Sequence, residues 1–415
     1  MIILINKVVE QLNPINTGNR VRVIDVIRGF CLLGILIANM LTFQYGMYGL
    51  DNMSLFNPTS LDTIAYQVLN ITVVGSFVPI FMFLFGYSLY KLRESLVNRS
   101  LKPKWPLVRR FLMLIILGVI HSLLLWEGDI LAFYGGVGFL LLLFVKRKPK
   151  TLIIWGILLS LVIPGLSYNT NNMTATEETQ IQAYVTKSIE IYGKGTYSEI
   201  SKFRLTEDPL GLPPGAMIIL LIFIAPIVMI PTFLFGIAAA KKEWFHNSRC
   251  ERRRYIWGTA TLLPLGLGFK SIAILQPDSP WSGVLLAAGG QMLALGYISA
   301  LALILSYLSN GSLLVSAFEA IGRMSITNYL MQTVICTTIF YGYGLGWFGQ
   351  ISILNGFLLA LLIYSVQAVL TTLLFRWFKN GPFERILRMW TYFSRDGKPR
   401  ASRKVVNDPT LNTSV

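Results

Sequence analysis

The sequence RVIDVIRGFCLLGILIAN, residues 22–39, places three charged side chains before a long apolar run. Arg22, Asp25 and Arg28 recur every three positions, so they follow one side of a helix, and Asp25 can pair with either arginine. Charges at the mouth of a membrane helix are costly unless they are paired or face the protein interior. The stretch therefore predicts a membrane helix with a polar site at its cytoplasmic end. Asn39 would mark a second polar site towards the outer side. The alternative is a simple basic anchor at the membrane edge.

Composition places the chain among membrane proteins. Of its 415 residues, 54% are hydrophobic and 13% are charged, whereas a soluble domain carries about 25% charged residues. Basic cytoplasmic loops account for the net charge of +16, so no nucleic-acid partner is expected. The expected surroundings of the chain are the lipid bilayer. Two histidines exclude a multi-histidine centre, and Cys31, Cys250 and Cys336 lack the spacing of a disulfide framework or zinc site. We therefore expect no metal.

Apolar segments recur along the chain and predict an all-α fold, a polytopic transmembrane helical bundle of about ten spans. Loops rich in Lys and Arg follow the second, fourth, sixth and tenth segments, whereas the loops after the first, third and seventh contain neither residue. Because basic loops stay in the cytoplasm, both termini are expected there. The predicted spans lie near residues 24–44, 73–91, 108–126, 129–146, 151–168, 216–240, 255–276, 283–308, 323–342 and 351–378.

The segments outside simple spans lead to further expectations. A short helix is expected around Glu177–Tyr192, in a long outer loop rich in Asn, Thr and Glu. The amphipathic Leu61–Thr72 predicts an outer interfacial helix or a re-entrant piece. Lys270, near the outer end of the seventh span, is expected to snorkel to the interface. The predicted domains are a cytoplasmic N-terminal segment (1–21), a single transmembrane helical domain (22–392, with the outer loop at 169–215) and a largely disordered cytoplasmic tail (393–415).

His121 is the sharpest functional candidate, because each intramembrane polar group must find a partner. A rise of about 1.5 Å per residue from Arg110 puts His121 in the outer half of the bilayer. Asp129 and Tyr134 open the next span, across a tight turn. A carboxylate that orients an imidazole is a general-base arrangement. The alternative is a histidine that bonds a neighbouring helix for packing alone.

The ninth predicted span carries a second polar cluster. Arg323, Asn328 and Gln332 lie in its inner half, and the last two share a helix face because they are four residues apart. Gln367 adds an amide from the tenth span. These side chains could bind a ligand, or they could hydrogen-bond one helix to another.

The motifs together resemble the YeiB-like family of bacterial multi-pass membrane proteins, which implies a bacterial cell-membrane location. The resemblance covers nearly the whole chain apart from the first 20 or so residues and the tail. Its motifs are Arg22-x-x-Asp25-x-x-Arg28-Gly29, Gly118-x-x-His121, Gly128-Asp129-Ile130-Leu131-x-x-Tyr134, Gly322-Arg323-Met324-Ser325-x-Thr327-Asn328-Tyr329-Leu330-x-Gln332, Gly344-Leu345-Gly346, Gln367 and Gly381-Pro382-x-Glu384-x-x-x-Arg388.

The opening motif is also similar to that of heparan-alpha-glucosaminide N-acetyltransferase, a member of a transmembrane acyltransferase superfamily. Such enzymes take an acyl group from a cytoplasmic thioester and place it on an outer or lumenal acceptor. The resemblance implies that Asn39 lies by an active site. The enzyme has a catalytic His about eleven residues after that Asn, where this sequence has Leu50. We expect His121 to supply an imidazole from another helix.

The first hypothesis is therefore a membrane-embedded acyltransferase, with acyl-CoA as the donor and an extracytoplasmic small molecule, glycan or lipid as the acceptor. His121, oriented by Asp129, would act as the base, and Asn39 would hydrogen-bond the acyl oxygen or the acceptor. The alternatives are a transporter of a small solute and a non-catalytic membrane protein, and a homo-oligomer is left open. The predicted ligand-binding residues are Arg22, Asp25, Arg28, Tyr134, Arg323, Asn328 and Gln332.

Overall fold

The computed structural model describes residues 21–169, 174–210, 225–247, 249–308, 312–375, 377–378 and 380–399. All regular structure in these ranges is helical. The predicted N-terminal segment and tail lie almost entirely outside them. The helices are α1 (Arg22–Tyr45), α2 (Ser60–Thr72), α3 (Phe77–Asn98), α4 (Lys104–Leu124), α5 (Leu131–Phe144), α6 (Pro149–Gly165), α7 (Ala175–Lys194), α8 (Tyr197–Thr206), α9 (Ala225–Lys241), α10 (Arg252–Leu275), α11 (Ser282–Tyr307), α12 (Leu313–Arg323), α13 (Ser325–Phe340), α14 (Ile353–Phe375) and α15 (Pro382–Tyr392), with a short 3₁₀ helix at Leu50–Phe56.

The all-helical fold of a membrane protein is confirmed. Within the described residues, six segments are long and apolar enough to cross a bilayer, and α2 with α3 counts as one of them. Three shorter apolar helices accompany them, in α5, α6 and α9. Each predicted apolar segment coincides with a helix, but the total of about ten crossings and the side of the termini stay predictions.

Helix α1 lies at the centre of the bundle and packs against α3, α11, α12, α13 and α14. Its crossing with α12 depends on two glycines. A Cβ on Gly29 would meet the backbone oxygen of Phe318 at 2.0 Å, and one on Gly322 would meet the backbone oxygen of Asp25 at 1.9 Å. Real Cβ atoms do not approach so closely, so only glycine lets these backbones touch. The contact brings the charged start of α1 against the end of α12.

A break between α2 and α3 corrects the expectation for Lys270. Its side chain is 1% exposed instead of reaching the interface. Nζ donates to the backbone oxygen of Val74 at 2.5 Å and to Ser76 Oγ at 3.0 Å. The hydroxyl of Tyr297 donates to the oxygen of Thr72 at 3.0 Å. The broken helix leaves carbonyls that need donors, and this need outweighs the pull of the interface.

Helix α15 fixes the start of α13. The Glu384 carboxylate accepts hydrogen bonds from the backbone N–H groups of Ile326 (2.6 Å) and Thr327 (3.1 Å), and from the Thr327 hydroxyl (2.6 Å). The first N–H groups of a helix have no partner within it, so Glu384 acts as a cap supplied by another helix. Because α15 also packs on α4, it connects α4 with the start of α13.

Candidate functional site

A long cleft opens between α1, α3, α4, α5 and the α12–α15 segment. Its volume is about 660 Å³, within the range of about 300–1,000 Å³ that is typical of small-molecule sites. One face of α3 lines it from Phe81 to Arg99. At about 1.5 Å per residue, this face is about 27 Å long. The lining residues in α3 and directly after it, most of them at helical spacing, are Phe81, Leu84, Phe85, Tyr87, Ser88, Lys91, Leu92, Glu94, Ser95, Asn98 and Arg99.

The polarity of the cleft changes along its length. Six basic and three acidic residues line the cleft, and of these Lys91 and Arg99 lie towards one end of the face that α3 presents. The opposite end is lined by Phe81, Leu114, Leu131 and Tyr134. The shape and polarity suit an extended ligand with an anionic head and a thin, less polar tail. The charged lining residues are Arg28, Lys91, Arg99, Arg110, Arg323 and Arg388, with Asp25, Glu94 and Glu384.

The predicted charge pairing of α1 is confirmed and extends to α12. Asp25, 2% exposed, accepts from Arg28 Nη1 at 2.8 Å and lies 3.5 Å from Arg323 Nε. Arg28 also donates to Ser88 Oγ at 2.8 Å. Glu319 pairs with Arg22 and with Arg323, each at 2.6 Å. Asp25 and Glu319 therefore link three arginines, of which Arg28 and Arg323 line the cleft.

Arg110 lines the cleft beside α15. Like that of Arg99, its side chain makes no hydrogen bond or ion pair with any described residue. Its neighbour Arg109 differs, since Nε donates to the oxygen of Thr391 at 3.1 Å and the guanidinium stacks on Phe393 at 4.8 Å. A cation without a partner in a cleft is suited to an anionic ligand.

The predicted contact between His121 and Asp129 is confirmed. His121 is 2% exposed, and Nδ1 lies 2.9 Å from Asp129 Oδ1. The other carboxylate oxygen accepts from the Ala132 N–H at 2.8 Å, which fixes the carboxylate at the start of α5. Because an ionised carboxylate only accepts, Nδ1 is the donor in this contact, and in the neutral imidazole Nε2 then keeps a lone pair. Nε2 is buried without a hydrogen-bond partner among the described residues.

An outer layer covers the turn that carries this pair. The predicted loop helix is confirmed as α7. Arg204 of α8 donates to the oxygen of Leu125 at 2.6 Å, and Tyr197 donates to that of Leu124 at 2.8 Å. Tyr192 donates to Glu127 at 3.2 Å. Burial raises the pKa of Glu127, against the opposing effect of the Arg204 guanidinium.

The structure separates the predicted site residues into groups. The cleft is lined by Asp25, Arg28, Tyr134 and Arg323. The His121–Asp129 pair lies beyond the apolar end of the cleft, with His121 on α4 and Asp129 just before α5. Arg22 lines a neighbouring pocket of about 280 Å³. Asn39 does not line the cleft, and no hydrogen bond joins it to the pair within the described residues. Asn328 and Gln332 also lie outside the cleft lining.

Sequence reasoning missed several cleft residues: Lys91, Arg99, Arg110 and Arg388. In the sequence, the basic loop between the second and third predicted spans is a sufficient explanation for the charges of Lys91, Arg99 and Arg110. The available signal was the spacing within α3, where Ser88, Lys91, Ser95 and Arg99 follow one face. This polar stripe of about three turns extends farther along the helix than a membrane-edge anchor needs.

Comparisons with known proteins give the family. The chain is 32% identical over 398 residues to "Uncharacterized protein YxaH" of Bacillus subtilis (strain 168), covering 93% of this chain and 97% of the relative. It is 28% identical over 390 residues to "Uncharacterized protein YeiB" of Escherichia coli (strain K12), covering 89% and 95%. This chain belongs to the YeiB-like family. A family described as "Protein of unknown function (DUF418)" matches residues 239–394.

The YeiB-like match extends over both walls of the cleft. A third relative, "Uncharacterized 39.9 kDa protein in amylase 3'region" of Bacillus acidopullulyticus, is 26% identical over 381 residues, covering 92% of this chain and 96% of the relative. No solved structure matches the chain. The DUF418 region includes α12–α15, whereas α3–α5 match through the full-length relatives. The similarity to heparan-alpha-glucosaminide N-acetyltransferase stays a prediction.

Proposed function

We propose that this YeiB-like protein is a membrane-embedded acyltransferase that takes its acyl group from a cytoplasmic acyl-CoA. The observation that carries the proposal is the graded cleft, which runs for about 27 Å along α3 from a basic mouth to an apolar end. Acyl-CoA has the same polarity, with phosphates at one end and a thin acyl-bearing arm at the other. The phosphates would lie near Arg99, Arg110 and Arg388, and the thioester would lie near Tyr134.

In the proposed reaction, His121 accepts a proton as the general base. The lone pair on Nε2 would remove a proton from an acceptor hydroxyl or amine, whose oxygen or nitrogen attacks the thioester carbonyl. The new bond to the acyl carbon forms as the carbon–sulfur bond breaks, and the coenzyme A thiolate leaves and takes up the proton. Asp129 would hold the imidazole and stabilise its charged form. Asn39 could contact the acceptor only after a rearrangement, since it has no contact with the pair here.

The membrane arrangement forms part of the proposal. The basic mouth would face the cytoplasm, both termini would lie there, and about ten helices would cross the plasma membrane. The acceptor, a small molecule or an envelope glycan or lipid, would approach from outside past α7 and α8. Because Arg204 and Tyr197 bond the carbonyls that end α4, this cover would have to shift before an acceptor reaches His121.

An acyl-transfer assay tests the proposal. Purified protein in proteoliposomes receives acyl-labelled acetyl-CoA on the cytoplasmic side and envelope extract on the other side. We expect label in the extract and free coenzyme A in equal amounts with wild type. Label that stays on the donor, with every envelope fraction supplied, would contradict the proposal.

Transport of a small solute is the alternative, and one observation favours it. Transporters place broken helices at their binding sites, and the α2–α3 break holds the buried Lys270 with no carboxylate partner among the described residues. Accumulation of a chemically unchanged solute in the same proteoliposomes, lost in Lys270→Met, would support transport. Label transfer that Lys270→Met leaves intact would favour the enzyme.

A further inference from the structure

We infer that Tyr134 and Phe81 restrict the donor to a short acyl group, and that the Tyr134 hydroxyl hydrogen-bonds the thioester carbonyl. The inference rests on the proposed function, because it concerns the acyl end of the same cleft. It adds the acyl-chain class and a role for two named side chains.

Stacked rings form one wall of the cleft at its apolar end. Tyr134 is 1% exposed. Its ring lies 5.4 Å from that of Phe81 with an interplanar angle of 18°, and 5.5 Å from that of Phe85 with an angle of 21°. Phe233 meets the same ring edge-on at 5.8 Å. A ring held on three sides cannot turn aside without disturbing its neighbours, so the wall is rigid.

The wall leaves little room beyond the thioester. Leu114 and Leu131, each 3% exposed, line the same end of the cleft beside Tyr134. An acetyl group adds one methyl beyond the carbonyl, whereas an octanoyl group adds a seven-carbon chain that would have to displace these packed side chains. Overpacking of a filled apolar site is unfavourable. A long acyl chain should therefore bind at least about tenfold more weakly than acetyl.

The hydroxyl of Tyr134 supplies the one polar contact at this end. It is buried without a hydrogen-bond partner among the described residues. Arg28 and Ser88, which line the cleft on α1 and α3, bond each other at 2.8 Å. A buried donor without a partner is costly, and a thioester carbonyl is an acceptor of the right kind for it.

Calorimetric titration of the full-length protein in detergent tests both parts. The ligands are coenzyme A, acetyl-CoA and octanoyl-CoA. The variants are Tyr134→Phe, Phe81→Ala and, as a matched control, Phe139→Ala, since Phe139 lies on the same helix as Tyr134, packs on Phe111 and does not line the cleft. Tyr134→Phe removes one atom and is the variant least able to disturb folding.

The expected affinities distinguish the effect of acyl-chain length from the effect of the Tyr134 hydrogen bond. Wild type should bind acetyl-CoA at least about tenfold more tightly than octanoyl-CoA. Phe81→Ala should reduce this ratio to about threefold or less, and Phe139→Ala should leave it unchanged. Tyr134→Phe should weaken acetyl-CoA about three- to tenfold while coenzyme A, which lacks the acyl carbonyl, binds as before.

Two results would overturn the inference while the proposed function stands. One is equal binding of acetyl-CoA and octanoyl-CoA by wild type. The other is an equal loss of coenzyme A and acetyl-CoA binding in Tyr134→Phe. If wild type binds none of the three ligands, the proposed function itself fails and the inference falls with it.

Discussion

Two buried polar clusters in this bundle have opposite hydrogen-bonding states. Between α13 and α14, Thr371 donates to Asn328 Oδ1 at 3.0 Å and Gln332 donates to Gln367 Oε1 at 3.0 Å. Asn328 itself donates to the oxygen of Met324 at 2.9 Å. At the α4–α5 turn and the adjoining cleft, by contrast, His121 Nε2 and the Tyr134 hydroxyl have no partner among the described residues.

This contrast distinguishes a candidate ligand site from a structural contact between helices. Buried polar groups are normally hydrogen-bonded, and each exception needs an explanation. The α13–α14 cluster needs none, because its side chains join two helices. The free atoms of His121 and Tyr134 are explained if a substrate supplies the missing partners. The ligand-binding role predicted for Asn328 and Gln332 stays untested, and the geometry favours interhelical contacts for both.

Loss of the imidazole should have the largest effect. His121→Ala should lower acyl transfer by about a hundredfold or more, the usual size of a general-base contribution, while acetyl-CoA affinity stays within about twofold. The other histidine, the exposed His246, provides a matched control. Full transfer by His121→Ala, with His246→Ala also active, would remove the proposed base.

Two adjacent arginines give the next contrast. Arg110→Gln should weaken acetyl-CoA binding about tenfold, because a charge-assisted contact with a phosphate is lost. The loss should shrink as salt rises, since charge interactions are screened. Arg109→Gln should leave affinity unchanged, because Arg109 bonds Thr391 and stacks on Phe393. Calorimetry at two salt concentrations makes the measurement, and equal effects of both substitutions would argue against a role for Arg110.

The α13–α14 cluster should respond in stability rather than in activity. Thr371→Val removes an interhelical hydrogen bond and should lower the free energy of unfolding by about 1 kcal/mol, the usual size inside membranes. Transfer per folded molecule should not change. Thr372→Val is the control, since that hydroxyl bonds only the oxygen of Ala368 in its own helix at 2.6 Å. Unfolding in mixed micelles gives the values, and a large drop in transfer for Thr371→Val would place this cluster in the site.

The sequence supported the local part of this account. His121 and Asp129 are eight residues apart across one turn, so their contact could be inferred from the chain order. The apolar segments likewise predicted the helices, because span length is set by the bilayer.

The cleft could not be inferred in the same way. Arg28 meets Ser88 across 60 residues and Gly322 across 294, and such contacts depend on helix packing rather than on local pattern. The expectation for Lys270 was wrong for a related reason, since the Val74 carbonyl and the Ser76 hydroxyl that accept its hydrogen bonds lie at a helix break 194 or more residues away.

Site-directed labelling tests whether the cleft holds the acyl donor. Single cysteines replace Ser95, which lines the cleft mouth, or Val97, which is 46% exposed on α3 and does not line it. The exposed Cys250 is changed to Ser, while Cys31 and Cys336 are buried. We expect acetyl-CoA to slow maleimide labelling at position 95 and to leave position 97 unaffected. Equal labelling rates with and without acetyl-CoA at both positions would contradict the account.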